Sequence, residues 1–402
     1  MPALPTCEHL DMRIETLLAA LRELEGLLAR IQQAGASLPS RSELDVIAGR
    51  HKPVLAKTLG PLRSTLMALR DSTGSSVTDR WDATMECARR LDALSAELLP
   101  VAEGALARAA GLDNGLCALG QRLLDDIGGK TVPWNRIVIP AAREETSNRL
   151  WVVGLPLLDS SPWYLPIMVH ELGHFAATRL EDQYSQRLGE KLLDGSWRGR
   201  PGVATDTLTA LTYKHAQELF ADVFAAYCAG PAFAAALMTR AVPVHAWDAG
   251  SDHPSWGARM LAVLRALGRL GDAVPAVRQN LSWITALVAE EWQAAQDAVG
   301  RAEIPAALGR TVDAFTDGAV EVMDLTGSAA LFRGEGVLET GEQLQDGISP
   351  DGRADMLTVL NAAWAERLRD RENITTIERA LTGWRRASLG PPSADDGLDG
   401  RR

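Results

Sequence analysis

The sequence predicts a mainly α-helical protein, α+β in class, with one small β-sheet. Three observations carry that prediction. Apolar residues recur at helical spacing over roughly 130 residues on each side of a central segment. Only two short β-branched or aromatic runs, 136–139 and 150–155, interrupt the helical texture, each bounded by a proline. The chain has 402 residues, 46% hydrophobic and 23% charged. Such a chain is folded rather than fibrous or disordered, and is long enough for two or three packed units.

From the start of the chain, Ile14, Leu17, Leu21, Leu24, Leu28 and Ile31 alternate steps of three and four, which draws one narrow apolar seam on a helix. That seam needs a partner, and packing within the chain is the expectation over a free coiled-coil dimer. Further helical patterns at about 53–71, 78–99 and 101–126 are separated by breaks at Pro39–Ser40 and Ser72–Ser76 and ended by Gly128–Gly129. The first 128 residues therefore predict an antiparallel helical bundle. Residues 136–139 and 150–155 predict two strands, with 150–155 as an exposed edge. Helical patterns then follow at about 163–193, 206–229 and 254–270, with a Gly-rich loop over 194–202 that could form a lid or rim. Beyond Gly271, helices are expected at about 275–300, 305–324, 352–371 and 375–387, with an irregular stretch around 326–350. The end of the chain from 389 has no apolar face and reads as a disordered tail.

Charge and cysteines narrow the function classes. Lys plus Arg total 41 against 52 Asp plus Glu, a formal net charge of −11. There is no concentrated basic run, so nucleic acid is not an expected partner. Cys7, Cys87, Cys117 and Cys228 form no CxxC pair or disulfide framework. With no basic start and apolar run at the N-terminus and no stretch of ~20 uninterrupted apolar residues, neither secretion nor a membrane is expected. The expected location is the cytoplasm.

The chemistry is concentrated in residues 166–177, PIMVHELGHFAA. Residues four apart on a helix share a face at about 5–6 Å between Cβ atoms, so His170 and His174 can offer their imidazoles to one ion. Glu171 falls beside the pair, where it can reach a metal-bound water without being a ligand. Ile167, Met168, Val169 and Leu172 make the remaining faces apolar. Burying such polar side chains without a metal would cost several kcal/mol. A catalytic zinc takes three protein ligands and keeps the fourth position for water. Glu218 in 215–226, HAQELFADVFAA, is the expected third ligand, and His215, one turn earlier, is its competitor. Asp222, one turn after Glu218, is placed to accept a hydrogen bond from the free ring nitrogen of a ligand histidine. Tyr213 or His215 is otherwise a wall of the site.

These residues resemble the gluzincin metallopeptidases, in which HExxH is followed on a later helix by a Glu ligand in an ExxxD or ExxAD setting; residues 218–222, ELFAD, match it. Residues 252–259, DHPSWGAR, are similar to the HP…R element of the HtpX and CaaX-prenyl-protease group, and the three pieces occur in that group's order. The resemblance covers roughly 165–265. The membrane members of that group have spanning helices that this chain lacks, so only a soluble relative is implied. The resemblance implies that His253 hydrogen-bonds the oxyanion of a tetrahedral intermediate and that Arg259 braces the site. It also implies a zincin-like core over 129–271, between a helical bundle at 1–128 and a helical region at 272–388, ahead of the tail at 389–402.

The expected function is thus a zinc metallopeptidase with one Zn2+ per chain and a peptide or protein substrate, with the 150–155 strand edge as the candidate to hold it by β-augmentation. The alternative is a metal-stabilised, catalytically inert or latent protein that binds a protein partner through its helical flanks. A closed fourth coordination position, filled for instance by His215, would mark that alternative.

Overall fold

In the computed structural model the described residues are 7–34, 41–72, 76–131, 137–141, 145–147, 152–156, 162–184, 192, 213–241, 253–298, 306–327, 329, 331–370 and 372–389. Among them the protein is mostly helical with one small sheet. The Gly-rich 194–202 loop, Leu150, Asp252 and the tail from 390 lie outside the described residues. Contacts divide the chain into two compact units. One comprises 1–117 with 136–160, the other 118–135 with 161–402. The strand segment is thereby grouped with the N-terminal helices.

In the first unit, α1 (Cys7–Ala34), α2 (Arg41–Asp71) and α3 (Val77–Ala109) pack on one another. The α1 seam is spent inside the chain, since Ile14, Leu17, Leu21, Leu24 and Ile31 are buried with Leu59, Leu66, Leu91 and Leu98 of α2 and α3. Pro100 does not end a helix as the spacing suggested. α3 runs through it to Ala109, and the break comes at Gly111, Asn114 and Gly115, all with positive φ. Pro53, Pro61 and Pro100 all stand on exposed faces, where water can satisfy the carbonyl each leaves without a donor.

The sheet has three strands in the order β1-β3-β2: β1 (Ile137–Ala141), β2 (Glu145–Ser147) and β3 (Val152–Pro156). β3 pairs parallel with β1 and antiparallel with β2. The expected free edge at 150–155 is therefore corrected: residues 152–155 form the central strand. Their unbroken apolar run is the signature of a strand covered on both faces. Pro140 is tolerated because β1 is the edge. Ile137, Ile139 and Val152 join the apolar core of the helices. The approach of α3 to β1 requires Gly104, where a Cβ would lie 2.2 Å from the Pro140 carbonyl oxygen.

The second unit contains most of α4 (Leu116–Thr131) and a 3-10 turn at Pro162–Ile167 that leads directly into α5 (Met168–Tyr184). It continues with α6 (Tyr213–Ala229), α7 (Pro231–Ala241), α8 (Trp256–Ala273), α9 (Pro275–Ala298), α10 (Ala306–Thr326), α11 (Val337–Gln345), α12 (Met356–Arg369) and α13 (Ile374–Leu389). α6 is its centre, packed against α5, α8 and α10. Its residues from Leu219 to Ala229 are completely or almost completely buried. α7 and α11 were not anticipated from the sequence. Asn361 of α12 fastens the α6–α7 turn, accepting from Ala232 N and donating to the Ala229 carbonyl.

Candidate metal centre

α5 and α6 cross at a point of very close approach. A Cβ on Gly173 would lie 2.7 Å from Ala221 Cα and 2.9 Å from its carbonyl oxygen. Gly173 sits between His170 and His174, and Ala221 between Glu218 and Asp222, so this contact brings the imidazole pair and the two carboxylates together. The ligand atoms of His170, His174 and Glu218 all lie within 4.8 Å of one another, and the three could hold a metal ion. The Nε2 atoms of His170 and His174 are 3.0 Å apart, and Glu218 Oε2 and Oε1 lie 3.4 and 3.3 Å from Nε2 of His170 and of His174 respectively. Donors at zinc distances of 2.0–2.1 Å in a tetrahedron stand about 3.3–3.4 Å apart. The donor set fits such an ion in type and spacing.

Behind the donors lies a buried charge chain. His170 Nδ1 is 2.8 Å from Asp222 Oδ1. Asp222, fully buried, accepts a two-pronged contact from Arg259 through Nε and Nη2, both at 2.7 Å. The Arg259 guanidinium lies over the Trp256 ring at 4.6 Å and reaches 3.8 Å from Glu218 Oε2. Turning Nδ1 toward Asp222 leaves Nε2 facing the donor set, the arrangement that fixes a ligand tautomer. Phe233 of α7 stacks against His170, with ring planes 12° apart and centroids at 6.4 Å. Neither Phe233 nor the role of Gly173 was read from the sequence.

Burial by itself would push the His170 imidazolium down, but the Asp222 charge and contacts to Asp222 and Glu218 more than offset it and hold its pKa up at about 10. Burial would likewise raise Glu218, yet the contacts with His170 and His174 hold its carboxyl far below the usual carboxylate range. Asp222 is also held low, because Arg259 and His170 outweigh its complete desolvation. In each case an immediate partner keeps the charged form; to hold a cation, His170 would release its Nε2 proton and keep the one on Nδ1 facing Asp222.

The remaining expected residues fall as follows. Glu171 is buried in the first turn of α5. His253 is exposed at 63%, with Nε2 3.8 Å from Glu218 Oε2, at the rim of the site. α8 begins at Trp256 with Ser255 as its N-cap, so Pro254 precedes the helix rather than opening it. His215 is buried in α6 but is not a member of the donor group found among the described residues. The Tyr213 side chain lies outside the described set. Five side chains from three helices can thus hold a cation on one face and lock an imidazole from the other. No helix among the described residues is long and apolar enough to cross a membrane.

No family model, curated protein or solved structure matches the chain.

Proposed function

We propose that the chain is a zinc-dependent metallopeptidase built on a zincin-like core of the gluzincin type, with His170, His174 and Glu218 as ligands of one Zn2+ and Glu171 as general base. One observation carries this reading: three donors of the right chemistry, carried on two helices, converge within 4.8 Å with His–Glu separations of 3.3 and 3.4 Å, and Asp222 and Arg259 brace them from behind. When bound, zinc polarises a peptide carbonyl and lowers the pKa of a coordinated water to about 7.

The chain's own residues do the rest. Asp222, held by Arg259, keeps the His170 proton on Nδ1 so that Nε2 stays a donor to the ion. Glu171 takes the proton of the attacking water and returns it to the leaving amine. His253, at the exposed rim, donates to the developing oxyanion. The substrate is a peptide or protein. With β3 paired on both sides, it is not held by strand addition there. The reading also places the protein in the cytoplasm, consistent with four cysteines that form no CxxC pair.

The test is metal analysis of the purified chain together with Glu171→Gln and Glu218→Ala in a peptide-library assay. Expected are about one zinc per chain and cleavage of at least one peptide class. E171Q should keep its zinc and lose at least about 100-fold in turnover, the usual scale for a general base, while E218A loses both. Undiminished turnover in E171Q overturns the mechanism, and a chain that takes up no zinc overturns the reading itself.

A further inference from the structure

A second site is built around Arg367 of α12 and shares no residue with the metal centre. Its guanidinium carbon lies 4.7 Å from the centroid of the Trp163 ring and 4.8 Å from that of Trp364. The two indoles form a fixed platform. They meet edge to face at 5.2 Å and 68°, and both are almost completely buried. Trp364 Nε1 donates to the Trp163 carbonyl at 2.9 Å, and Trp163 Nε1 donates to Glu378 at 3.2 Å.

Resting on aromatic faces holds a guanidinium in place without using its N–H edges. Among the described residues, no carboxylate forms an ion pair with Arg367. Glu378 acts on it only through its charge, without an ion-pair contact, and burial pulls its pKa down. Its sequence neighbour Arg369 differs, since that side chain pairs with Glu366 at 2.9 Å. A half-buried cation anchored by rings but lacking a carboxylate partner is a recognition group for an anion from outside.

The space beside it has the matching form. Arg367 and Trp364 line a cavity of about 310 Å³ with Met238, Leu368, Ile374 and Glu291. That volume lies at the small end of small-molecule sites, which combine an apolar lining with a few polar anchors. The apolar residues suit a compact hydrocarbon body. The guanidinium fork suits a planar carboxylate, which it can hold through two parallel hydrogen bonds. Glu291 disfavours a second negative charge in the same cavity.

We propose that this cavity binds a small molecule carrying one carboxylate on an apolar body. The proposal is independent of the metal reading, so either can fail without the other.

The test is calorimetric titration of the intact chain with isovalerate, phenylacetate and N-acetyl-leucine, against leucinamide and inorganic phosphate as controls. At least one of the three carboxylates should bind with one site per chain, equally with or without chelator. Leucinamide, which keeps the body and lacks the carboxylate, should bind at least tenfold more weakly, and so should phosphate. Arg367→Met should weaken the carboxylate at least tenfold. Arg367→Lys, which keeps a cation over the rings and loses the fork, should fall between the two, and Glu291→Gln should bind more tightly. Far-ultraviolet circular dichroism establishes that each variant is folded. The proposal is overturned if none of the three carboxylates binds, if phosphate or leucinamide binds as well as they do, or if both Arg367 variants bind like the unaltered chain.

Discussion

Two buried carboxylates in the second unit, Asp222 of α6 and Glu366 of α12, are equally removed from water and behave in opposite ways. Asp222 is 0% exposed and Glu366 2%, so burial cannot distinguish them. Asp222 is held below the ordinary carboxylate range by a buried guanidinium and an imidazole. For Glu366 burial prevails and its pKa is raised, although Arg369 and Gln345 contact it and oppose the shift. The partners make the difference. Arg259 is buried beside Asp222 and meets it with both prongs, whereas Arg369 is 45% exposed and shares its charge with solvent. A buried carboxylate is kept ionised where its countercharge is buried with it, and that is the arrangement found behind the candidate ligands.

The largest effect expected from breaking this comparison is at Asp222. Replacing it with alanine strands the Arg259 charge inside the protein, a change that costs about 3–5 kcal/mol for a buried pair. It also frees His170 Nδ1, and loss of such an outer partner lowers metal affinity by about 10–100-fold. Chemical denaturation and zinc competition should both move. Unchanged zinc affinity in a folded Asp222→Ala chain would separate this carboxylate from the metal site.

Leu21→Ala supplies the control. Leu21 is completely buried in the apolar core of the first unit, and truncation there should cost about 2–5 kcal/mol. Zinc affinity of the folded protein should stay the same, so a fall in that affinity would mean that stability loss alone, rather than loss of the Asp222 contact, weakens the site.

Gly173→Ala comes next. The new methyl would meet the backbone of Ala221 at 2.7 Å, and backbone cannot swing aside as a side chain can. Overpacking of this kind costs about 1–3 kcal/mol. The sharper expectation is functional: α5 and α6 separate by a few tenths of an ångström or more, and zinc affinity falls by more than the stability change alone produces. A G173A chain with unaltered zinc affinity would show that the close crossing does not set the donor spacing.

The sequence made the site far more legible than its surroundings. The four-residue periods 170/174 and 218/222 put each pair of side chains on one helix face, and an apolar setting marked both helices as buried. Those are local properties of a helix, and the structure keeps them. The contact of Arg259 with Asp222 was foreshadowed only through the resemblance of 252–259, and the structure makes it a two-pronged contact. By contrast, Phe233 reaches His170 from a helix whose signals, Pro231 after a left-handed Gly230, were present but short. β2 has three residues and no pattern of its own, so the neighbour that makes β3 central could not be read. The passage of α3 through Pro100 depends on which face meets water, a fact of packing rather than of local spacing. Glu366 illustrates the same limit: Arg369 is its i,i+3 neighbour on α12, but Gln345 reaches it only once α11 lies on α12.

The smallest effect expected is the pH dependence at Glu366. A carboxyl whose folded pKa is raised binds its proton more tightly in the folded state than in the unfolded one. Its contribution to stability is therefore complete below its ordinary value of 4.5 and is lost as pH rises through the raised value. Glu342 adds to the upward shift, while Arg369 and Gln345 limit it. Other groups titrate over the same range, so the informative quantity is the difference in melting temperature between the unaltered chain and Glu366→Gln, followed from pH 4 to pH 7. That difference should drift in favour of the glutamine chain as pH rises, because the amide never acquires the buried charge. A drift in the opposite direction would mean that Arg369 outweighs burial after all, and that Glu366, like Asp222, is an ionised member of a pair.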